Sequence, residues 1–267
     1  HGAEVTFYFP SEAATENILM AAVLADGVTT IVNAAREPEI IDICEFLVAM
    51  GARIDGIGTP ILTITGVQPH ELHGCEHETV PDRIQCATYI GACAVAGGQI
   101  DMLNARPSHM HMVLTRFRDM GIEAEPLPYG LRVRAGRRLR ATDVATLPYP
   151  GIATDYKPVI VAMLSVADGV SIVTENLYPG RFRYVEELQR LGADIRTSGH
   201  HAVVRGVPRL AGAAVTSHDI RAGAAMVVAA LAAEGETTIS GVHHIDRGYD
   251  NLVGRLHAVG ADISRDP

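Results

Sequence analysis

The stretch ATENILMAAVLADGVTTIVNAAREPEIIDICEFLVAMGARIDGIGTPILTITGV, residues 14–67, decides the fold, because the chain repeats its plan three more times. It reads as an Ala-rich apolar helix, a small-acid-Gly turn, a β-branched strand, a second helix, a glycine and a closing strand pair. Residues 82–136, 155–207 and 219–265 follow the same order. Gly27, Gly98, Gly169 and Gly235 precede Gly51, Gly121, Gly192 and Gly260 by 24, 23, 23 and 25 residues, a regularity that marks an internal repeat. Each of these glycines follows helical periodicity, so each is expected at the left-handed position just past a helix end. The first helices are almost wholly apolar, Ala224 to Ala233 most of all, and are expected to be buried on all sides. Units of this kind bury a core only against their neighbours. The arrangement expected is therefore first helices inside, around a pseudo-axis, with sheets outside.

Bulk properties narrow the function. With 48% hydrophobic and 20% charged residues in 267, the chain suits one large or two smaller globular domains. A formal net charge of −9 argues against a broad nucleic-acid or anionic-membrane surface, so an anionic ligand must be held by a local cluster of cations. Cys44, Cys75, Cys86 and Cys93 show neither CxxC spacing nor a secreted framework, which points to reduced thiols and a cytoplasmic location. Cys86 and Cys93 are expected on one buried helix face. No run approaches the ~20 apolar residues of a membrane span. The opening HGAEVTFYFP has no signal-peptide character and begins inside a strand, from which further preceding units are expected.

Counting back from the first glycines by 16, 16, 14 and 16 residues reaches Ser11, Asp82, Asp155 and Asp219. These are good N-caps, and capping alone is one reading of them. The other is that parallel inner helices bring their N-termini together, concentrating amides and dipoles into an anion site. Arg36, Arg106, Arg181 and Arg247 recur at the strand-to-second-helix turns, with Arg221 on the fourth inner helix. A single such arginine is usually a solvated charge. Four at one point of a repeat, in an acidic chain, suggest a forked grip on carboxylate or phosphate beside Asp155 and Asp219. His70, His73, Cys75 and His77 are the one metal-like group, but HELH lacks the helical zinc-protease spacing and reads as a polar interdomain loop. His200-His201 and His243-His244 read as surface or turn residues.

The segments NAAREPEI (33–40), PDRI (81–84), TDYKP (154–158), ENLYPGRF (175–182), HDIRAGA (218–224), AAEGET (232–237) and HIDRGYD (244–250) resemble the signatures of the UDP-N-acetylglucosamine 1-carboxyvinyltransferase family. These are enolpyruvyl transferases, relatives of 5-enolpyruvylshikimate-3-phosphate synthase. The resemblance covers the whole chain. It implies an α/β (α+β) fold, the enolpyruvyl-transferase inverted α/β barrel of βαβαββ units, in two domains of three units each. Residues 1–78 would be one unit of the first domain and 79–267 the three units of the second. The activity implied is transfer of the enolpyruvyl group of phosphoenolpyruvate to a UDP-sugar hydroxyl with release of phosphate, in cytoplasmic peptidoglycan synthesis, with no metal or organic cofactor.

By the same resemblance, Asp155 contacts the acceptor hydroxyl and takes its proton, and Asp219 lies by the tetrahedral intermediate. Arg181, Arg221 and Arg247 surround the enolpyruvyl donor, Leu177 contacts the sugar through its backbone, and Ser11, Glu12 and Ala13 match the diphosphate segment. The family usually reads Ser-Val-Gly-Ala-Thr there, whereas this chain has Ser11-Glu12-Ala13-Ala14-Thr15. A glutamate beside a diphosphate is unfavourable unless it points away, which opens the alternative of another nucleotide or sugar acceptor. Lys157, where the family often has Gln, could offset that charge or bind a different phosphate. The units that complete the family pattern, with a Lys-Asn pair and a mobile loop bearing a reactive Cys, would come from a longer chain or a second chain. A non-catalytic remnant needing a partner chain is the remaining alternative.

Overall fold

Residues 1–136 and 138–266 are described in the computed structural model, which divides into two compact units. The first comprises His1–Pro81 with Pro148–Pro150, and the second Asp82–Leu147 with Gly151–Pro267.

The first unit runs β1 (Glu4–Thr6), α1 (Glu12–Val23), β2 (Val28–Val32), α2 (Pro38–Ala49), β3 (Arg53–Asp55) and β4 (Ile61–Thr65). Its sheet has the order β1-β2-β4-β3: β1 pairs β2 in parallel, and β2 and β3 both pair β4 antiparallel. Leu19, Ile31, Ile40, Leu62 and Ile64 form its core.

In the second unit come α3 (Arg83–Ala96), β5 (Gly98–Leu103), α4 (His111–Asp119), β6 (Glu123–Leu127) and β7 (Gly130–Ala135). A further repeat follows as β8 (Val144–Ala145), α5 (Lys157–Leu164), β9 (Val170–Thr174), α6 (Val185–Arg190), β10 (Asp194–Ser198) and β11 (His201–Arg205). Its order, β8-β9-β11-β10, has the same parallel and antiparallel pairings as the first unit's sheet. After β12 (Leu210–Ala211), the last repeat has β13 (Ala214–Thr216), α7 (Ile220–Leu231), β14 (Ala233–Glu234), β15 (Thr238–Ser240), α8 (His243–Asp246) and α9 (Leu252–Ala258). It keeps the parallel pair β13–β15, but the closing strand pair expected near residues 261–265 does not form among the described residues. The sheets are separate and no closed barrel forms among the described residues. The βαβαββ plan thus holds, and helices rather than strands occupy the centre of the second unit, as the inverted arrangement expects.

Chain chemistry explains the recurring helix ends. After α2 the Gly51 amide bonds to Val48 O and the Ala52 amide to Leu47 O, each at 2.9 Å. This is the Schellman pair, which satisfies two orphan carbonyls. The same pair of bonds follows α4 at Gly121, α6 at Gly192 and α9 at Gly260, and each of these four glycines has φ between 92° and 112°. An apolar residue follows each one. The first set of glycines departs from expectation. Gly27, Gly169 and Gly235 stand several residues past their helices, at the entry to a strand or the turn before it, and only Gly98 directly follows its cap. They too have positive φ, serving the turn into the strand.

Helices α5 and α7 are buried along eight consecutive residues each, Lys157–Leu164 and Ala222–Ala229, and α3 buries ten of its residues. They pack on one another as the core of the second unit. Gly91 of α3 is where all three meet, since a Cβ built there would fall 2.6 Å from Val159 Cγ1 and 3.5 Å from Val228 Cγ1. Helix α1 differs from the expected pattern: it buries only Thr15, Leu19, Ala22 and Val23, and leaves Met20 and Leu24 exposed.

Candidate active site

The three helices that share Gly91 also start together. Asp82 caps α3, accepting from the amides of Ile84 and Gln85 at 2.8 and 2.9 Å, and Asp219 caps α7, accepting from those of Arg221 and Ala222. Helix α5 begins from a tight turn, Thr154–Tyr156, with Pro158 pre-set for its first turn. Arg83 Nη1 reaches Tyr156 Oη at 3.2 Å, joining the starts of α3 and α5. Arg221 Nε reaches Asp155 Oδ1 at 3.2 Å, joining the starts of α7 and α5. The N-termini therefore converge, with their dipoles and free amides at one place.

Asp155 is the centre of the group. Its Oδ1 accepts from Arg221 Nε and from Arg181 Nη2, both at 3.2 Å. Arg181 arrives from the loop after β9, and its Nη1 donates to Thr154 Oγ1 at 3.1 Å. The Arg221 side chain is 17% exposed and that of Arg181 32%. The buried Nη1 of Arg221 finds no acceptor among the described residues. Burial opposes the charge on Arg221, yet Tyr249 and Asp155 beside it raise its pKa overall. Tyr249 is buried, its hydroxyl 2.8 Å from Thr88 Oγ1 on α3. Burial pushes the phenol upward.

Beneath Arg181 and Asp155 lies a buried ion pair. Lys157 and Glu175 both have fully buried side chains, with Lys157 Nζ 2.6 Å from Glu175 Oε2. Burial alone would raise the Glu175 carboxyl, but hydrogen bonds from Lys157, Thr154, Thr146 and the Tyr178 amide hold it down at about 2. Burial pushes the Lys157 ammonium below its ordinary value, with Glu175 opposing. Lys157 is therefore not a surface cation for a phosphate or for offsetting Glu12. A long cation at the start of a helix buried on every side needs an internal partner.

The other expected residues lie as follows. Leu177 is half-buried in the turn after β9, its amide donating to Glu175 Oε1 at 2.8 Å. Asp219 is exposed apart from its capping bonds, and Arg247, at the end of α8, is exposed with no ion pair among the described residues. Arg106 is likewise exposed and unpaired there, and Arg36 donates to Tyr149 O within the first unit. Of these arginines, Arg181 and Arg221 share Asp155 Oδ1 as acceptor. In the first unit, Ser11 caps α1, accepting from the Ala14 amide at 3.3 Å, and Glu12 and Ala13 are exposed in its first turn. The His70–His77 segment gathers no metal-binding group among the described residues, and His77 bonds Asp42 instead. Cys86 and Cys93 are both buried in α3, and burial pushes Cys86 up to about 12. No helix of the described residues is long and apolar enough to cross a membrane.

Sequence reasoning missed Glu175, Thr154, Tyr249 and Thr88. The available signal was Lys157 itself, a cation heading the apolar run KPVIVAML.

Comparison with known proteins places this geometry. The UDP-N-acetylglucosamine 1-carboxyvinyltransferase of Mycobacterium bovis is 51% identical over 264 residues, 99% of this chain and 63% of the relative. That of Corynebacterium efficiens is 48% identical, with 62% of its length matched. The chain thus spans somewhat under two thirds of these curated relatives. Among solved structures, the enolpyruvyl transferase NikO from Streptomyces tendae superposes with a TM-score of 0.85 at 26% identity, covering 94% of this chain and 60% of that one. EPSP synthase from Acinetobacter baumannii shares the fold, with a TM-score of 0.77 at 19% identity over 99% of this chain and 64% of that one. A family-level description, EPSP synthase (3-phosphoshikimate 1-carboxyvinyltransferase), matches residues 1–256, and the chain belongs to that family.

Proposed function

We propose that this chain transfers the enolpyruvyl group of phosphoenolpyruvate to the 3-hydroxyl of UDP-N-acetylglucosamine, releasing phosphate for peptidoglycan precursor synthesis in the cytoplasm. It does so within an enzyme that has its full set of repeat units, supplied by one chain or by a partner chain. The observation that carries this reading is Asp155, held between Arg181 and Arg221 where three helix N-termini meet. The name carried by relatives at about half identity supports the acceptor.

Such a site suits addition followed by elimination. Asp155 takes the hydroxyl proton as the acceptor oxygen bonds to C2 of phosphoenolpyruvate, and a proton is delivered to the methylene carbon, making it a methyl group. The methyl then loses a proton, the double bond re-forms and the C–O bond to phosphate breaks. Arg181, Arg221 and Arg247 hold the donor's carboxylate and phosphate, and charge placed before the reaction lowers the barrier most where charge develops. A dianion arriving at Arg181 and Arg221 competes with Asp155 for both guanidiniums, which loosens the carboxylate as the substrate binds. Asp219 lies by the tetrahedral intermediate, Leu177 meets the sugar through its backbone, and Ser11, Glu12 and Ala13 meet the nucleotide diphosphate. No metal or organic cofactor is needed.

Glu12 favours one second reading, a different nucleotide or sugar acceptor. It is the acid in the first turn of α1, where it suits the helix dipole but opposes a diphosphate. The test is phosphate release by the complete enzyme from phosphoenolpyruvate and UDP-N-acetylglucosamine, with product mass. Release and a product heavier by one enolpyruvyl group are expected. No release with this acceptor, but release with another nucleotide, sends the reading to the second acceptor class; Glu12→Val then gains UDP-sugar binding by calorimetry.

A further inference from the structure

Five groups among the described residues donate to the Glu175 carboxylate. Its Oε1 takes Thr146 Oγ1 at 2.7 Å, the Leu177 amide at 2.8 Å and the Tyr178 amide at 3.0 Å. Its Oε2 takes Thr154 Oγ1 at 2.7 Å and Lys157 Nζ at 2.6 Å. Five donors saturate the roughly four lone-pair sites of a carboxylate. Lys157 Nζ is shared with the Arg181 carbonyl at 2.6 Å and lies 4.1 Å from the centre of the Phe182 ring. Every group on this hub thus belongs to, or touches, the turn 175–182 or the turn that carries Asp155.

Hydroxyl polarity turns this packing into function. A threonine hydroxyl has one proton to give. Thr154 gives its proton to Glu175, so the oxygen presents only lone pairs outward, and Arg181 Nη1 donates to that oxygen at 3.1 Å. The same guanidinium then reaches Asp155 Oδ1 through Nη2. Thr146 repeats the device, giving its proton to Glu175 and accepting the Asn176 amide at 2.9 Å. A neutral group at residue 175 would not enforce this direction, because an amide can donate to Thr154 and turn its proton toward Arg181.

We infer that Glu175, charge-matched by Lys157, is a positioning residue of the reaction: through Thr154 it aims the Arg181 guanidinium at Asp155, and through two amides it fixes the Leu177 turn. This rests on the site proposed above. A purely structural alternative is that the pair only fills the core, and a buried pair is often replaceable by neutral groups without loss of stability. That difference supplies the test.

In the complete enzyme, kcat, both KM values and the thermal midpoint are measured for Glu175→Gln and for the double variant Glu175→Gln/Lys157→Met. Wild-type turnover decides the functional reading separately; if wild type uses another acceptor, the same ratios are taken with that one. The single variant buries an unpaired ammonium, so its midpoint should fall. The double variant should regain most of the midpoint while its kcat stays about tenfold or more below wild type and acceptor KM rises. A double variant with a recovered midpoint and kcat within about threefold of wild type overturns the inference. Should neither variant fold, Thr154→Val leaves the ion pair intact and removes the hydroxyl that links Glu175 to Arg181, one of five donors to the carboxylate. It should lower kcat by about tenfold or more with little change in midpoint, and unchanged kcat overturns the inference.

Discussion

Replacing Gly91 by alanine probes the packing that brings the three helix starts together. On an exposed helix this change stabilises by about 0.5–1 kcal/mol, because alanine loses less backbone freedom. Here the added Cβ falls 2.6 Å from Val159 Cγ1, with Met163 Sδ at 3.6 Å and Val228 Cγ1 at 3.5 Å. Carbon pairs settle at about 3.5–4.0 Å, so roughly an ångström of overlap must be relieved. Val159 is 3% exposed and β-branched, so it has little rotamer freedom, and the relief falls on the spacing of α3 and α5. Overpacking of this kind costs about 1–3 kcal/mol, which outweighs the propensity gain. Urea unfolding should therefore show a lower midpoint at unchanged slope, a net loss of about 1–2 kcal/mol. Adding Val159→Ala removes the clashing methyl, so the double variant should be more stable than the sum of the two single changes by about 1 kcal/mol or more. A Gly91→Ala protein more stable than wild type would refute the close meeting of the three helices.

Two further outcomes follow from the site. Arg221→Ala removes a cation from a partly desolvated position, and kcat/KM should fall by about a hundredfold or more; activity within about threefold of wild type would remove this arginine from the reaction. Glu175 links stability to pH: its carboxyl sits at about 2 against an ordinary 4.5, so the unfolded chain binds its proton first on acidification. Its contribution, about 3 kcal/mol, is present above pH 4.5 and lost as pH falls toward 2, and Glu175→Gln should flatten that limb of a urea-stability profile.

What could be read from the sequence was what the repeat imposes locally. The glycines at 51, 121, 192 and 260 had to follow helices, because a helical apolar period stops at each, and the structure gives all four the same paired cap. The apolar runs of α5 and α7 left no polar face, so central burial followed. Asp155 and Arg221 were legible as residues that head inner helices. The period carried no information about distance. Arg106 and Arg247 occupy the same repeat position as Arg181, yet only Arg181 is drawn to Asp155, because Thr154 and the 175–182 turn hold it there. Glu175 in VTENLY reads as a surface acid beside a turn; its side-chain partners Thr146, Thr154 and Lys157 are 18 to 29 residues away along the chain and no local period links them. Tyr249 and Thr88 escaped for the same reason, being 161 residues apart.

The most direct test of the central claim is the turnover of Asp155→Asn in the complete enzyme. Asparagine keeps the shape of the side chain and an oxygen that can accept from Arg181 and Arg221, while the proton acceptor is lost. Transfer from phosphoenolpyruvate to UDP-N-acetylglucosamine should fall by about 10²–10⁴-fold, the range for a positioned base, with the thermal midpoint changed little. Turnover within about threefold of wild type at equal stability would mean that Asp155 only shapes the start of α5 and that the reaction draws its base from elsewhere.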